Sequence, residues 1–299
     1  NVTIPRQSER SKKSKKKAYD TIDERRTPEL VVALCGAVGS GSSEIAELID
    51  ENLTRHGYDV RRIKASQLIL DTISVLIENK KIKAEKFQIK DWTSEGDRIA
   101  SLQDMGNYLR KEYGSDITSQ LFIKKVSTDR QSEINEEEAD RGEVHKEQRR
   151  VAWVLDSLKH PEEVKLLQLV YDKMFSLFGV LCTQQTKVFN LVQQMNVSLD
   201  EANKLIERDK AEDFNHGQKL IKTLQYGDFF VRNEHYKTDR VSNTIERYVR
   251  ILIGDHGVTP KPSEYAMYQA QSSAFRSGCM SRQVGAATID QYGDIISTG

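Results

Sequence analysis

The stretch Leu30–Ser43, LVVALCGAVGSGSS, constrains the fold more than any other part of this 299-residue chain. It opens with a short continuous apolar run, Leu30–Leu34, of the kind that forms a strand covered on both faces. A glycine-rich turn follows: Gly36, Ala37, Val38, Gly39, Ser40, Gly41, Ser42 and Ser43. Beyond it Ile45, Leu48, Ile49 and Leu53 recur at helical spacing, and Gly57 offers a stop. Strand, glycine turn and helix in this order have the layout of a phosphate-binding loop, in which backbone N–H groups and a helix N-terminus point at an anion. The usual pattern, G-x-x-x-x-G-K-[ST], adds a lysine for the terminal phosphates and a hydroxyl for Mg²⁺. Here Ser42 stands where the lysine belongs and Ser43 keeps the hydroxyl. Without that lysine, phosphoryl transfer loses a charge that stabilises its transition state. Three readings stay open: a turn without a ligand, a loop that binds nucleotide phosphates without efficient transfer, and a working kinase loop.

The rest of the chain is consistent with an α/β domain around such a loop. Tyr58–Ile63, Val151–Leu155 (VAWVL), Leu177–Cys182 (LFGVLC) and Asp228–Val231 (DFFV) read as further strands. Helical patterns lie between them, including Glu162–Tyr171 and a segment opened by the capping-box pair Ser198 and Glu201. Strands alternating with helices predict a parallel, doubly wound sheet. Residues 80–150 read as a charged, helical insertion. Asp156, closing VAWVLD, stands where a parallel-sheet site places a Mg²⁺-organising carboxylate, or caps the segment after it. Arg208, in LIERDKAED, is either a lid arginine that reaches phosphates or a plain surface arginine.

The turn-rich stretch Gly254–Tyr265 holds two of the five prolines and reads as a domain boundary. It separates residues 28–253 from 254–299. Within the latter, Glu264–Arg276 reads as a short helix, Val284–Ile289 as a strand, Asp290–Gly293 as a turn, and Asp294–Ser297 as the start of another strand. A helix and one hairpin leave an open sheet edge and half a core. Residues 254–299 are therefore expected to be the front of a larger domain.

Charge is balanced overall, 45 Lys+Arg against 45 Asp+Glu, so no global field steers the chain to nucleic acid or membrane. It is uneven locally. Residues 1–17 carry seven Lys/Arg against one Glu, and 1–27 read as a disordered basic arm, either a solvated tail or a contact for RNA. No apolar stretch is long enough to span a bilayer and none resembles a signal peptide. Three distant cysteines, Cys35, Cys182 and Cys279, predict reduced core thiols and a cytoplasmic protein. The six histidines are scattered and no C-x-x-C occurs. The H-x-E at His160-Pro161-Glu162 lacks the P-C-x-x-C that a zinc deaminase needs, and Pro161 suits the first turn of a helix. No Ser/His/Asp or Cys/His arrangement stands out, so no catalytic residue and no metal ligand is assigned in the chain.

The C-terminal stretch YAMYQAQSSAFRSGCMSRQVGAATIDQYGDIISTG resembles the opening of the cytidine and deoxycytidylate deaminase fold, its first helix and first two strands. The N-terminal part, through VLDSLKHPEEVKLLQLVY and the loop at Gly36, resembles a P-loop domain related to nucleotide kinases. In this order the two parts resemble bacterial anti-phage deoxycytidylate (dCTP) deaminases. The resemblance implies a P-loop kinase-like three-layer α/β domain followed by the start of a cytidine-deaminase-like α/β/α domain. It implies hydrolysis of dCTP or dCMP to the deoxyuridine nucleotide, with zinc activating water and a Glu shuttling protons, both outside this chain. The P-loop domain would bind a nucleotide, with Mg²⁺, for regulation or assembly of a homo-oligomer, and a regulatory small RNA would suit the basic arm. Only SRQVGA matches a pocket-lining position of that family. Ser281, Arg282 and Gln283 would touch substrate there, while Val284, Ala286 and Thr288 alternate along a core strand.

Overall fold

The computed structural model describes residues 29–83, 86–87, 89, 92–141, 150–211, 219–233 and 238–299. The basic arm lies outside the described residues. The chain divides into two compact units, the first ending at Val249 and the second spanning Arg250–Gly299.

The first unit is built on a five-stranded sheet of β1 (Glu29–Gly36), β2 (Asp59–Lys64), β3 (Val151–Asp156), β4 (Phe175–Leu181) and β5 (Phe229–Arg232). The strands run in the order β2-β3-β1-β4-β5, and every pairing is parallel. The five segments read as strands in the sequence coincide with these five strands. β1 lies at the centre and is almost wholly buried, which is why it carries no alternating polar residues. Val31, Ala33 and Cys35 on one face pack with Trp153, Leu155 and Leu177, against Val164 and Leu167 of helix α5 (Pro161–Tyr171) and Phe122 of α4 (Ile117–Arg141). Leu30, Val32 and Leu34 point the other way by the strand's two-residue period and are equally buried. The helix after the glycine turn, α1 (Ser42–Arg55), inserts Ile45, Ile49 and Leu53 into the interior, and Gly57 follows it at φ +81°.

The segment between β2 and β3 is helical, as its sequence suggests: α2 (Ala65–Glu78), α3 (Glu95–Tyr113) and α4. Ile69, Ile73 and Leu76 of α2 pack on Met105 and Leu109 of α3 to form a second small core. A third gathers Leu191 and Val197 with Ala202, Leu205 and Ile206 of α7 (Leu199–Ala211). Between β4 and α7 lie α6 (Gln184–Phe189) and a π-helical turn, Asn190–Gln194. At α7 the Ser198 backbone N–H donates to Glu201 at 3.1 Å and Glu201's N–H to Ser198 Oγ at 3.3 Å, the reciprocal cap that the sequence spacing foretells. α8 (Leu220–Leu224) and α9 (Thr238–Leu252) flank β5 in the chain.

The second unit holds α10 (Pro262–Ala274) and an antiparallel hairpin of β6 (Ala287–Ile289) and β7 (Ile295–Thr298). The first strand is shorter than the expected Val284–Ile289. Gly285 lies so close to α10 that a Cβ there would sit 1.8 Å from the Ala270 carbonyl oxygen, so the chain is drawn onto the helix before it joins the ladder. Val284, Ala286 and Thr288 do alternate, but they are exposed rather than core.

Candidate functional site

The glycine turn sits at the C-terminal end of the central strand, where the sheet's chain order reverses from β3 on one side to β4 on the other. Ligands of open parallel sheets bind in that crevice. Gly39 and Gly41 adopt φ of +76° and +77°, a left-handed backbone that other residues avoid. A Cβ on Gly41 would also lie 2.2 Å from Asn233 Nδ2. Two asparagines clamp the turn from outside: Asn233 Nδ2 donates to the Ser40 carbonyl at 3.0 Å, and Asn190 Nδ2 to the Gly39 carbonyl at 2.9 Å. No side chain caps the N-terminus of α1, which begins with Gly41 at the cap position. The first backbone N–H groups of α1 are thus left without a side-chain cap, at the end of the helix that favours an anion.

Ser42 does not replace the missing lysine. Its Oγ lies 2.9 Å from Ser40 Oγ, folded back over Gly36, where an added Cβ would meet both hydroxyls at 2.5 Å. Ser43 points elsewhere. Its hydroxyl donates to Asp156 Oδ2 at 2.9 Å. The sheet register makes this meeting unavoidable, because Leu34 of β1 is paired with Asp156 of β3 and both strands deliver their next residues to the same rim. Arg62, at the matching edge of β2, donates to Asp156 Oδ2 at 3.1 Å and to the Ser43 carbonyl at 2.9 Å. Asp50, on α1, has a buried oxygen without a partner, and burial pushes its carboxyl up to about 6 despite the pull of Arg62. Ser43 and Asp156 together supply the hydroxyl and carboxylate oxygens that a hard divalent cation prefers.

A cleft of about 380 Å³ opens beside the turn, lined among others by Val38, Ser43, Arg98, Arg110, Asp156 and Lys159. Arg98 is engaged by both oxygens of Glu95 at 2.9 Å. Arg110 is buried and paired with the fully buried Glu163, 2.9 Å from Nη2 and 3.0 Å from Nε. The second Glu163 oxygen accepts the backbone N–H groups of Lys159 (2.8 Å) and His160 (3.0 Å). A larger hollow of about 480 Å³ over Gln184–Gln193 and Leu199 is lined by glutamines and apolar residues, without a titratable group.

Sequence reasoning passed over two residues at the loop. Lys159, in the connection from β3 to α5, places Nζ on the carbonyl of Gly36, the first residue of the turn. Asp209, on α7, accepts the Val38 backbone N–H at 2.7 Å through Oδ2, the atom that lies 4.0 Å from Lys159 Nζ. Arg208, one position earlier, pairs with Asp104 of α3 and is not among the cleft-lining residues. His160 is the N-cap of α5: its Nδ1 accepts the Glu162 N–H at 3.2 Å, with Pro161 at the helix start. Burial lowers its pKa, as suits an imidazole that must stay neutral to accept. Cys35 is buried beneath the turn, its thiol pushed up to about 12 by burial, so it is an inert core thiol. Cys279 departs from the expected core role. It is exposed, and the hydrogen bond from Ser281 brings its pKa down to about 7.

In the second unit Ser281, Arg282 and Gln283 are exposed. Gln283 donates to the Ser277 carbonyl at 3.0 Å, and Ser281 Oγ lies 3.3 Å from Cys279 Sγ. Among the described residues no group of three or more His, Cys, Asp or Glu is placed to hold a metal ion. No helix among them is long and apolar enough to cross a membrane.

No family model matches the chain, and no curated protein does. Solved structures similar to it include TT1252 from Thermus thermophilus, 15% identical over 75% of this chain and 97% of that one, with a TM-score of 0.36. An uncharacterized protein from Eubacterium ventriosum is 12% identical over 74% and 98%, with a TM-score of 0.39. Dephospho-CoA kinase from Campylobacter jejuni is 10% identical over 76% and 99%, with a TM-score of 0.34. At these scores the likenesses are faint, and the architecture rests on the molecule itself. A parallel sheet of order β2-β3-β1-β4-β5, with a glycine turn at its switch point and Asp156 on the neighbouring strand, makes the first unit a P-loop kinase-like α/β domain.

Proposed function

We propose that the first unit binds a nucleoside phosphate with Mg²⁺ and serves as the regulatory or assembly module of a deoxycytidine-nucleotide deaminase of the antiviral type. The observation that carries the first half is the Ser43–Asp156 contact at 2.9 Å on the rim of the glycine turn. Phosphate oxygens would lie against the backbone N–H groups of the turn and the first turn of α1. Ser43 and Asp156 would hold the Mg²⁺, which would offset the negative charge of the bound phosphates. Asn190 and Asn233 keep the turn's carbonyls pointed away, so that its N–H groups face the ligand. Ser42 is bonded to Ser40 and brings no cation, which favours binding over rapid transfer.

The deaminase half rests on the resemblance of residues 265–299 and on the helix-and-hairpin form of the second unit. The described residues do not fit a zinc ion, so no step of the hydrolysis is assigned to them. Calorimetric titration with MgATP and MgdCTP tests the first half. Micromolar binding by the wild type and loss in Gly41→Val support it; no binding of either nucleotide by folded protein overturns it. The second half is tested on protein extended past Gly299 in its reading frame. Conversion of dCTP or dCMP that stops on chelation carries it, and no product from zinc-loaded protein removes it.

A further inference from the structure

We infer that Lys159 is the phosphate-binding lysine of this site, delivered by the β3–α5 connection instead of the glycine turn, and that Asp209 lies where a phosphate oxygen would bind. The inference rests on the nucleotide-binding reading above and names the residues that make it work.

Four cations line the cleft: Lys64, Arg98, Arg110 and Lys159. Arg98 and Arg110 are committed to Glu95 and Glu163, and Lys64 is exposed at the end of β2. Lys159 is the one of the four whose charged group touches the glycine turn, on the Gly36 carbonyl. Its backbone is fixed, since its N–H donates to Glu163, itself locked by Arg110. Its side chain keeps four rotatable bonds and is only 15% exposed. A fixed stem with a mobile ammonium is what a phosphate clamp needs.

Asp209 marks where the anion goes. Its carboxylate is 3% exposed and takes a turn N–H and the neighbourhood of the lysine at the same oxygen, Oδ2. Gln103 adds a long contact of 3.5 Å to Oδ1. One anionic oxygen receiving a backbone N–H beside an ammonium is the environment of a nucleotide phosphate oxygen in a P-loop. Two anions cannot share it, so a phosphate must displace Asp209, and the lysine then turns from carboxylate to phosphate.

Calorimetry with MgATP and with Mg²⁺ plus inorganic tripolyphosphate, which has no base to recognise, tests this on the full chain. Lys159→Met should weaken both probes by on the order of ten- to a hundredfold, the range of a charge-assisted hydrogen bond. Lys159→Arg should stay within a few-fold of wild type, and Asp209→Asn should bind both probes more tightly. Melting curves establish that each variant is folded. Wild-type affinity in Lys159→Met overturns the assignment and leaves the nucleotide reading standing. If Lys159→Met fails to fold, Asp209→Asn decides: affinity unchanged or weaker refutes the displacement. No binding of either probe by wild type or Asp209→Asn removes both the assignment and the reading it rests on.

Discussion

Removing Glu163 should destabilise the first unit severely and loosen the loop that carries Lys159. Glu163 is fully buried and Arg110 is 3% exposed. Four donors converge on its carboxylate: Arg110 Nε and Nη2 at 3.0 and 2.9 Å, and the N–H groups of Lys159 and His160 at 2.8 and 3.0 Å. Deleting one partner of such a pair leaves a buried charge without compensation, which costs about 3–5 kcal/mol. In a unit of this size each kcal/mol lowers the melting point by about 2–4 °C, so Glu163→Ala should melt roughly 6–20 °C below wild type. Urea unfolding followed by circular dichroism measures the free energy directly. The double variant Glu163→Ala/Arg110→Met should recover part of the loss, because the orphaned guanidinium goes with it. Under conditions where Glu163→Ala is still folded, tripolyphosphate affinity should also fall, since the stem of Lys159 is no longer held. A loss below about 1 kcal/mol, or a double variant less stable than the two losses added together, would refute this account of the pair.

Three further outcomes are expected. Gly41→Ala should cost roughly 1–2 kcal/mol from the left-handed backbone alone, and more from the Asn233 contact, visible as a lower melting point together with lost nucleotide binding. Asp50 is raised from its ordinary 3.8 to about 6, so the folded state holds its proton more tightly than the unfolded one; stability should fall as pH rises between those values, and Asp50→Asn should flatten that slope and melt higher at pH 7. Cys279 should alkylate far faster than Cys35 at neutral pH, with a rate that rises through about pH 7 as the thiolate forms; equal labelling by mass spectrometry would contradict the placement of both thiols.

Much of the fold was legible because the physics behind it is local. A strand covered on both faces needs an apolar run, as β1, β3 and β4 have, and all five segments read as strands in the sequence belong to the sheet, the charged YDVRRI and the short DFFV at its two edges. The glycine turn was legible because Gly39 and Gly41 take a backbone that few other residues accept. The place of Asp156 was legible because VAWVLD reads as a strand that ends on a carboxylate, which puts Asp156 at the C-terminal edge of the parallel sheet. Pro161 was legible as a first-turn residue of a helix, and the imidazole before it is that helix's N-cap.

The charges around the turn were not legible, because chain distance hides them. Asp209 meets Val38 across 171 positions, and no motif announces a carboxylate that closes an anion site from within. The helix of Asp209 did attract notice in the sequence, but for Arg208. Neighbouring residues on a helix point about 100° apart, so only one of the pair can face the turn. The structure gives that face to the acid and turns the arginine to Asp104. A cation from α7 would have repelled Lys159, already bonded to the rim of the turn, whereas an anion there satisfies both the lysine and the Val38 N–H. A serine at position 42, a lysine at 159 and an acid at 209 thus belong to one arrangement around the turn. The cation at the turn comes from Lys159, in the connection between β3 and α5, and the buried carboxylate of Asp209 lies 4.0 Å from its ammonium.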